Sequence, residues 1–280
     1  VPELPEVETV RRDISGCYAG HALLDIVVTG RRTVRRHPPA ALASLAGQRL
    51  AGVGRHGKYL LLEWEGGRVL VVHLRMSGQL LAAAAGEPRP VHTHAVLAFS
   101  GAGELRFVDP RTFGELFVAG PAPGPGVGGG PAGLTELGHL GRDALAVDAA
   151  YFSAALAGRR APLKRLLVDQ RTVAGLGNIY ADEVCYEAGL RPDRPAGSLT
   201  PEELGRLAVS VRSVLEAAIA GRGSSLRDQQ YRDLYGNIGR YQLEHKVYGR
   251  SGMPCLLCGQ AVQRLDMGVR SAFLCPACQS

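Results

Sequence analysis

The sequence predicts an α+β protein: an N-terminal β-sandwich lobe, a helical lobe after it, and a zinc β-hairpin at the C-terminus. Three observations carry this prediction. Short β-rich runs divided by Gly-containing turns fill residues 1–119, and helical periodicity takes over from Leu134. Four of the six cysteines are gathered near the end as two Cys-x-x-Cys pairs. The expected domains are therefore 1–119, a linker at 120–133, a helical domain at 134–252 and a metal hairpin at 253–280.

In chain order, Val7, Val10 and Ile14 recur at spacings of three and four, which predicts a helix over Val7 to Cys17. The runs LLDIVVTG, YLLLEW, RVLVVHL, AVLAFS and ELRFV then read as strands. Glu65-Gly66-Gly67-Arg68 and Ser100-Gly101-Ala102-Gly103 read as the turns between them. Many short strands at this spacing imply a two-layer sandwich or barrel. Residues 120–133, GPAPGPGVGGGPAG, offer only small or ring-locked side chains, too little to build a core, so a flexible linker is expected there. Beyond it, Ala149–Leu156, Pro162–Asp169, Ile179–Ala188 and Pro201–Ala220 read as helices. The last has a full start signal: Thr200 as N-cap, Pro201 in the first turn and Glu203 completing a capping box.

Bulk properties narrow the function classes. A length of 280 residues suits two ordinary domains, and 46% hydrophobic with 21% charged residues is normal for a globular chain. The net charge of +6 favours an anionic partner, and the predominance of arginine suits planar contacts to phosphate. No apolar run approaches the roughly 20 residues that span a bilayer, and acidic residues stand where a basic signal region would lie. A cytoplasmic monomer without a membrane partner is the expectation.

One stretch carries chemistry unaided, and a second is a candidate that by itself reads equally as an ordinary N-terminal strand or arm with two surface glutamates. Cys255 and Cys258 are separated by sixteen residues from Cys275 and Cys278, the spacing of a closed four-thiolate zinc site with no open position for catalysis. The intervening AVQRLDMGVRSAF is strand-like on both sides of Asp266-Met267-Gly268, a β-hairpin with Arg270 near its tip. The second stretch is VPELPEVETV. Val1 stands where an initiator methionine is expected, and its removal would free Pro2 as a secondary amine. Such an amine has a pKa of roughly 7.7–8.0, so a useful fraction is nucleophilic at neutral pH. Its adduct with a sugar aldehyde carbon is an iminium with no N–H to lose, an electron sink that acidifies the neighbouring C–H. Glu3 and Glu6 follow at once, placed for acid–base work beside it.

Taken together, PELPEVETVRR, VAGLGNIYADE and the terminal Cys-x-x-Cys pairs resemble the bacterial formamidopyrimidine-DNA glycosylases along the whole chain. The resemblance implies a bifunctional glycosylase and abasic-site lyase of base excision repair. Its partner would be double-stranded DNA holding oxidised purines or abasic sites. It also implies a helix–two-turn–helix element around the Gly-rich turn before Asn178, where backbone N–H groups suit a phosphate.

By the same resemblance Pro2 is the nucleophile, Glu3 the acid and Glu6 a supporting residue. Lys58 and Arg270 act on the phosphates and in the elimination steps. Met76, Arg111 and Phe113 fill the hole left by an everted nucleotide, whose unstacking costs a few kcal/mol. His92, Arg160, Lys164 and Asn178 contact the DNA backbone or line the site. Thr112 stands where a second arginine is often found, and Arg160 where lysine is expected. Gly223–Tyr241 resembles a loop closing over the extruded base, with Ser224 and Ser225 in place of threonines. PELPE in place of PEGPE favours the purine-directed branch. Two other readings stay open on the sequence: a non-catalytic zinc protein that senses damaged DNA, and a pyrimidine-directed endonuclease VIII-like paralogue.

Overall fold

The N-terminal helix forms as α1, Leu4–Tyr18, and begins earlier than the apolar periodicity requires. Its start is set instead by a reciprocal capping box between Glu3 and Glu6, with a proline in the first turn. In this computed structural model the described residues are 2–120, 134–226, 230–268 and 270–280. Val1, the expected linker apart from Gly120, and residues 227–229 of the expected closing loop lie outside them.

Two compact units emerge. The first comprises Val1–His139 with Gly221–Arg240, the second Leu140–Ala220 with Tyr241–Ser280. The chain thus returns to the first unit after Ala220, which a division into consecutive segments does not express.

The first unit holds two four-stranded sheets among the described residues. One is β2 (Leu50–His56), β3 (Tyr59–Trp64), β4 (Val69–His73) and β8 (Glu115–Ala119), antiparallel throughout. The other orders β1 (Leu23–Val28), β6 (Thr93–Phe99), β7 (Gly103–Val108) and β5 (Gln79–Ala83), also antiparallel. Alternate residues of both sheets enter one core: Leu60, Leu62 and Trp64 from β3, Leu105 and Phe107 from β7. Val7, Val10, Ile14 and Tyr18 of α1 join it, as do Tyr231 and Leu234 from the returning segment. Leu234 also accepts a backbone hydrogen bond from Ala82 N–H at 2.9 Å, which pins that segment to β5.

The second unit is helical, with α2 (Ala149–Leu156), α3 (Leu163–Leu167), α4 (Asn178–Glu187) and α5 (Pro201–Ala220). The capping box expected for α5 is present: Glu203 accepts from Thr200 N–H at 2.8 Å and donates its own N–H to Thr200 Oγ1 at 3.3 Å. The short parallel pair β9 (Arg142–Asp143) and β10 (Val173–Ala174) ties the entry of the unit to the turn before α4. The C-terminal hairpin is β11 (Gln263–Asp266) with β12 (Ser271–Leu274). No helix among the described residues is long and apolar enough to cross a membrane.

Candidate active site and metal centre

The N-terminal residues are buried and tightly held. Pro2 is buried, Glu3 is nearly so, and Glu6 is fully enclosed. Glu6 Oε2 accepts the Glu3 N–H at 2.7 Å, while its Oε1 accepts the Ser224 N–H, also at 2.7 Å. One carboxylate therefore fixes the backbone one residue from Pro2 and anchors the returning segment beside it. Gly223, with φ +78, lies against Glu6 so closely that a Cβ would collide with the carboxylate. Glycine is required there on both counts.

Lys58 occupies the two-residue turn between β2 and β3, whose register pairs His56 with Tyr59. Gly57 precedes it at φ +55, the positive first position that suits a tight hairpin of this kind. The turn is braced from α1. Arg55 donates to Glu8 at 3.0 Å and to the Gly57 carbonyl at 2.9 Å. Glu8, which sequence reasoning passed over, also receives Arg11 and Arg12 at 3.0 and 2.8 Å. Burial alone would raise its carboxyl, but hydrogen bonds from Arg11, Arg12 and Arg55 outweigh it and lower the pKa from 4.5 to about 2.

A carboxyl depressed on folding stabilises the native state above its unfolded pKa and loses that contribution as pH falls through the folded one. The Glu8 network is therefore expected to contribute about 3 kcal/mol at pH 7. Urea unfolding should show Glu8→Gln destabilised at pH 7, with the gap to the parent protein closing from pH 4.5 toward 2. A gap that does not change with pH would contradict the ion-pair account.

His73, at the end of β4, is a core histidine. Burial, then Arg75, Lys58 and Arg36, hold its pKa well below 6.5, so the ring is neutral. Its Nδ1 accepts the Arg75 N–H at 2.9 Å and thereby holds Arg75 at φ 54, one residue before Met76. Met76 and Phe113 are both partly exposed large apolar side chains, and the Arg111 guanidinium lies 4.8 Å from the centre of the Phe113 ring. His92 is exposed, at φ 69. The geometry leaves an unbranched side chain, a guanidinium and an aromatic ring on the surface of the same unit, held by buried polar groups.

In the second unit, Asn178 opens α4 behind Gly177, which caps it without a side chain. The turn before it is built by Gln170, which donates to the carbonyls of Val168 and Leu176 and accepts from Gly175 N–H. Asn178 Oδ1 is buried without a hydrogen-bond partner at the start of the helix. Arg160 and Arg270 are exposed. Lys164 is not: its Nζ lies 2.7 Å from Asp182 Oδ1 and donates to the Ser271 carbonyl at 2.6 Å. Burial pushes Asp182 up to about 7 against the pull of Lys164, and Asp182 Oδ2 also accepts the Phe273 N–H at 3.1 Å. Lys164 and Asp182 thus hold the β11–β12 hairpin, with Ser271 directly following Arg270. A depression of about 600 Å³, lined by Lys164, Arg165, Asp266 and Arg270 among others, lies between α3 and that hairpin.

The four thiolate positions converge as the spacing predicts. The Sγ atoms of Cys255, Cys258, Cys275 and Cys278 all lie within 4.8 Å of one another, with Cys258–Cys275 at 3.4 Å and Cys255–Cys278 at 3.9 Å. A tetrahedron with metal–sulfur bonds of about 2.3 Å has edges of about 3.8 Å, so the donor set fits a structural metal ion. The Tyr186 hydroxyl reaches Cys255 Sγ at 3.2 Å, an outer contact on the ligand.

With this geometry in place, comparison with known proteins is decisive. Residues 1–116 match the formamidopyrimidine-DNA glycosylase N-terminal domain, and residues 140–230 match the formamidopyrimidine-DNA glycosylase H2TH domain. The chain belongs to the formamidopyrimidine-DNA glycosylase family. A formamidopyrimidine-DNA glycosylase of Moorella thermoacetica is 44% identical over 266 residues, covering 95% of this chain and 94% of the relative. The crystal structure of the MutM (Fpg) protein of Thermus thermophilus is 42% identical with a TM-score of 0.83, covering 99% and 98% of the two chains. A Lactococcus lactis FPG variant bound to a Fapy-dG containing DNA is 32% identical with a TM-score of 0.85 over the whole of both chains. Membership makes the chain a bifunctional glycosylase and lyase for oxidised purines in DNA. It sets aside the non-catalytic sensor and the pyrimidine-directed paralogue.

Proposed function

We propose that Pro2, once freed of Val1, is the nucleophile of this glycosylase and lyase. The amine attacks C1′ of an everted 8-oxoguanine or formamidopyrimidine nucleotide as the C1′–N bond to the base breaks, and Glu3 supplies the proton for the departing base or the opening sugar. The amine then sheds its proton and the C1′–O4′ bond opens, O4′ taking a proton, to leave an iminium that acidifies C2′–H. Loss of that proton expels the 3′ phosphate, and a second elimination expels the 5′ phosphate, leaving a gap with phosphates at both ends. Glu6 positions the amine through the Glu3 backbone. Lys58 and Arg270 neutralise the phosphates that leave, Met76, Arg111 and Phe113 fill the vacated stack, and His92, Arg160 and Asn178 hold the backbone. Lys164 contributes by seating the hairpin that carries Arg270.

The observation that carries this reading is the Glu6 carboxylate, which clamps the Glu3 N–H and the Ser224 N–H at the same 2.7 Å. A surface strand end needs no such buried anchor, since a carboxylate is enclosed only where its hydrogen bonds repay desolvation. The metal bound by the four cysteines is zinc, closed by thiolates and structural in role. The partner is duplex DNA, reached in the bacterial cytoplasm by a monomer whose +6 charge makes affinity fall steeply with salt.

The test is intact mass of the purified protein, then borohydride trapping on a duplex with 8-oxoguanine opposite cytosine. Loss of one valine with a covalent protein–DNA adduct is the expected result. A processed terminus that gives no adduct on oxidised purines or abasic sites would overturn the assignment of Pro2.

A further inference from the structure

Asp109, at the end of β7, is fully buried, and every polar atom it has is engaged. Its Oδ1 accepts the Ser77 hydroxyl at 2.5 Å and the Arg111 N–H at 3.2 Å, and its Oδ2 accepts the Gly114 N–H at 2.6 Å. Its own N–H donates to the His92 carbonyl at 3.0 Å. Its carbonyl accepts from Thr112 N–H at 3.2 Å and from His94 Nε2 at 2.9 Å. The partners are not a random set. Ser77 follows Met76, Gly114 follows Phe113, and Arg111 and His92 are themselves assigned to DNA.

Two further observations bear on the same place. Arg75, His92 and Thr112 have φ of 54, 69 and 54, a region that residues with a Cβ seldom adopt. Each is a DNA-facing residue or adjoins one. Such a backbone persists only where its surroundings over-determine it. The turn is also held on its carbonyl side: Arg35 Nη2 donates to the carbonyls of Thr112, Phe113 and Gly114 at 2.9, 3.1 and 3.1 Å. Gly114 admits no larger residue, because a Cβ there would strike the Phe107 ring and crowd Asp109 Oδ2.

We infer that Asp109 is the positioning residue that couples Met76, His92, Arg111 and Phe113 into one preset element, so that the gap left by an everted nucleotide is filled in a single insertion. The inference rests on the function proposed above. It goes further in predicting that these four side chains act as a unit and that one buried carboxylate makes them so. Asp109 touches no reacting atom. Its effect appears only where there is a stack to fill.

The test compares the parent protein with Asp109→Asn and Ser77→Ala. Asparagine keeps the shape but presents an NH2 where Gly114 N–H or the Ser77 hydroxyl needs an acceptor. Ser77→Ala cuts only the strut beside Met76. Two substrates are used: a duplex with 8-oxoguanine opposite cytosine carrying 2-aminopurine beside that cytosine, and a single strand with an abasic site. For Asp109→Asn the expected result is about 10²-fold slower excision in the duplex, the scale on which misplaced groups are felt. The 2-aminopurine signal of stack insertion should be lost, while trapping on the single strand stays near the parent rate. Ser77→Ala should fall between, and it carries the test alone if Asp109→Asn melts at the assay temperature. Equal losses on both substrates, or unchanged duplex excision and fluorescence in both variants, would overturn the positioning role. A parent protein that traps neither substrate would instead refute the nucleophile, and this inference with it.

Discussion

Replacing Pro2 by glycine is expected to remove the borohydride-trapped adduct and to slow base excision by roughly 10³-fold or more, the scale on which loss of a covalent nucleophile is felt. Glycine keeps a terminal amine, so the expected loss comes from chemistry and placement together. A primary amine gives an imine that can shed its N–H proton and with it the charge that acidifies C2′–H. The secondary amine of proline holds that charge until elimination. Proline's ring also ties the nitrogen back to its own side chain and is buried, whereas the amine of a terminal glycine turns freely about its N–Cα bond. Duplex affinity and metal content should stay near the parent values, because the Glu6 bonds to Glu3 N–H and Ser224 N–H do not involve the ring. Trapping on an abasic duplex, with filter binding and metal analysis on the same preparation, makes the comparison. Normal trapping in Pro2→Gly would end the case for Pro2.

What was legible in the sequence follows the physics of each element. β3, β4, β6 and β7 announce themselves through leucine, valine and phenylalanine in unbroken or alternating runs. β2, β5 and β8 do not. LAGVGRH carries two glycines, QLLAA has no β-branched residue, and ELFVA has five residues with no turn signal of its own. Tertiary pairing, not local propensity, makes them strands. α5 was readable at its start because its capping box is local. The four cysteines were readable because ligand spacing is fixed by the metal.

The candidate site divides the same way. Pro2, Glu3, Lys58, Met76, Arg111, Phe113, Asn178 and Arg270 could be named because each belongs to a recognisable stretch. The long-range contacts that hold them could not. Glu8 meets Arg55 across 47 positions, Lys164 meets the Ser271 carbonyl across 107, and Glu6 meets Ser224 across 218. A contact of that range leaves no local pattern. Lys164 shows the consequence most plainly: the sequence offers a lysine near a phosphate-binding turn, while the structure encloses its ammonium with Asp182. Asp109 was the one hub with a local signal, since an aspartate before Pro110 at a turn is a residue that binds its own following N–H groups.

Stripping the metal is the second change expected to have a large effect, and it acts within the second unit. β11 and β12 are four residues each, and a two-stranded hairpin of that size is marginal in water. The apolar cluster at the knuckles is small, Val247, Val262, Cys275 and Cys255 with Tyr186, Phe273 and Cys278 against them, and β12 buries Ala272 and Leu274 besides. The four thiolates must therefore supply the missing stabilisation, and structural zinc sites contribute on the order of 10 kcal/mol or more. Cys275→Ser, or prolonged chelation, is expected to release the metal and unfold the β11–β12 hairpin with its two Cys-x-x-Cys knuckles. Asp182 would then lose the Phe273 N–H, and Lys164 the Ser271 carbonyl that fixes the strand next to Arg270. Duplex affinity should fall at least tenfold, with trapping on duplex substrate falling in parallel. The helical signal from α1 and α5 should remain, since neither helix contributes to the hairpin core. Metal analysis, circular dichroism and salt-dependent binding on one sample make the comparison, and the salt slope is the discriminating reading. With Arg270 in its proposed role of a single phosphate contact, its loss alone should flatten the slope by about one. A steeper change would mean that the hairpin presents further cations to DNA, whereas unaltered affinity after complete metal loss would show that the hairpin stands without it.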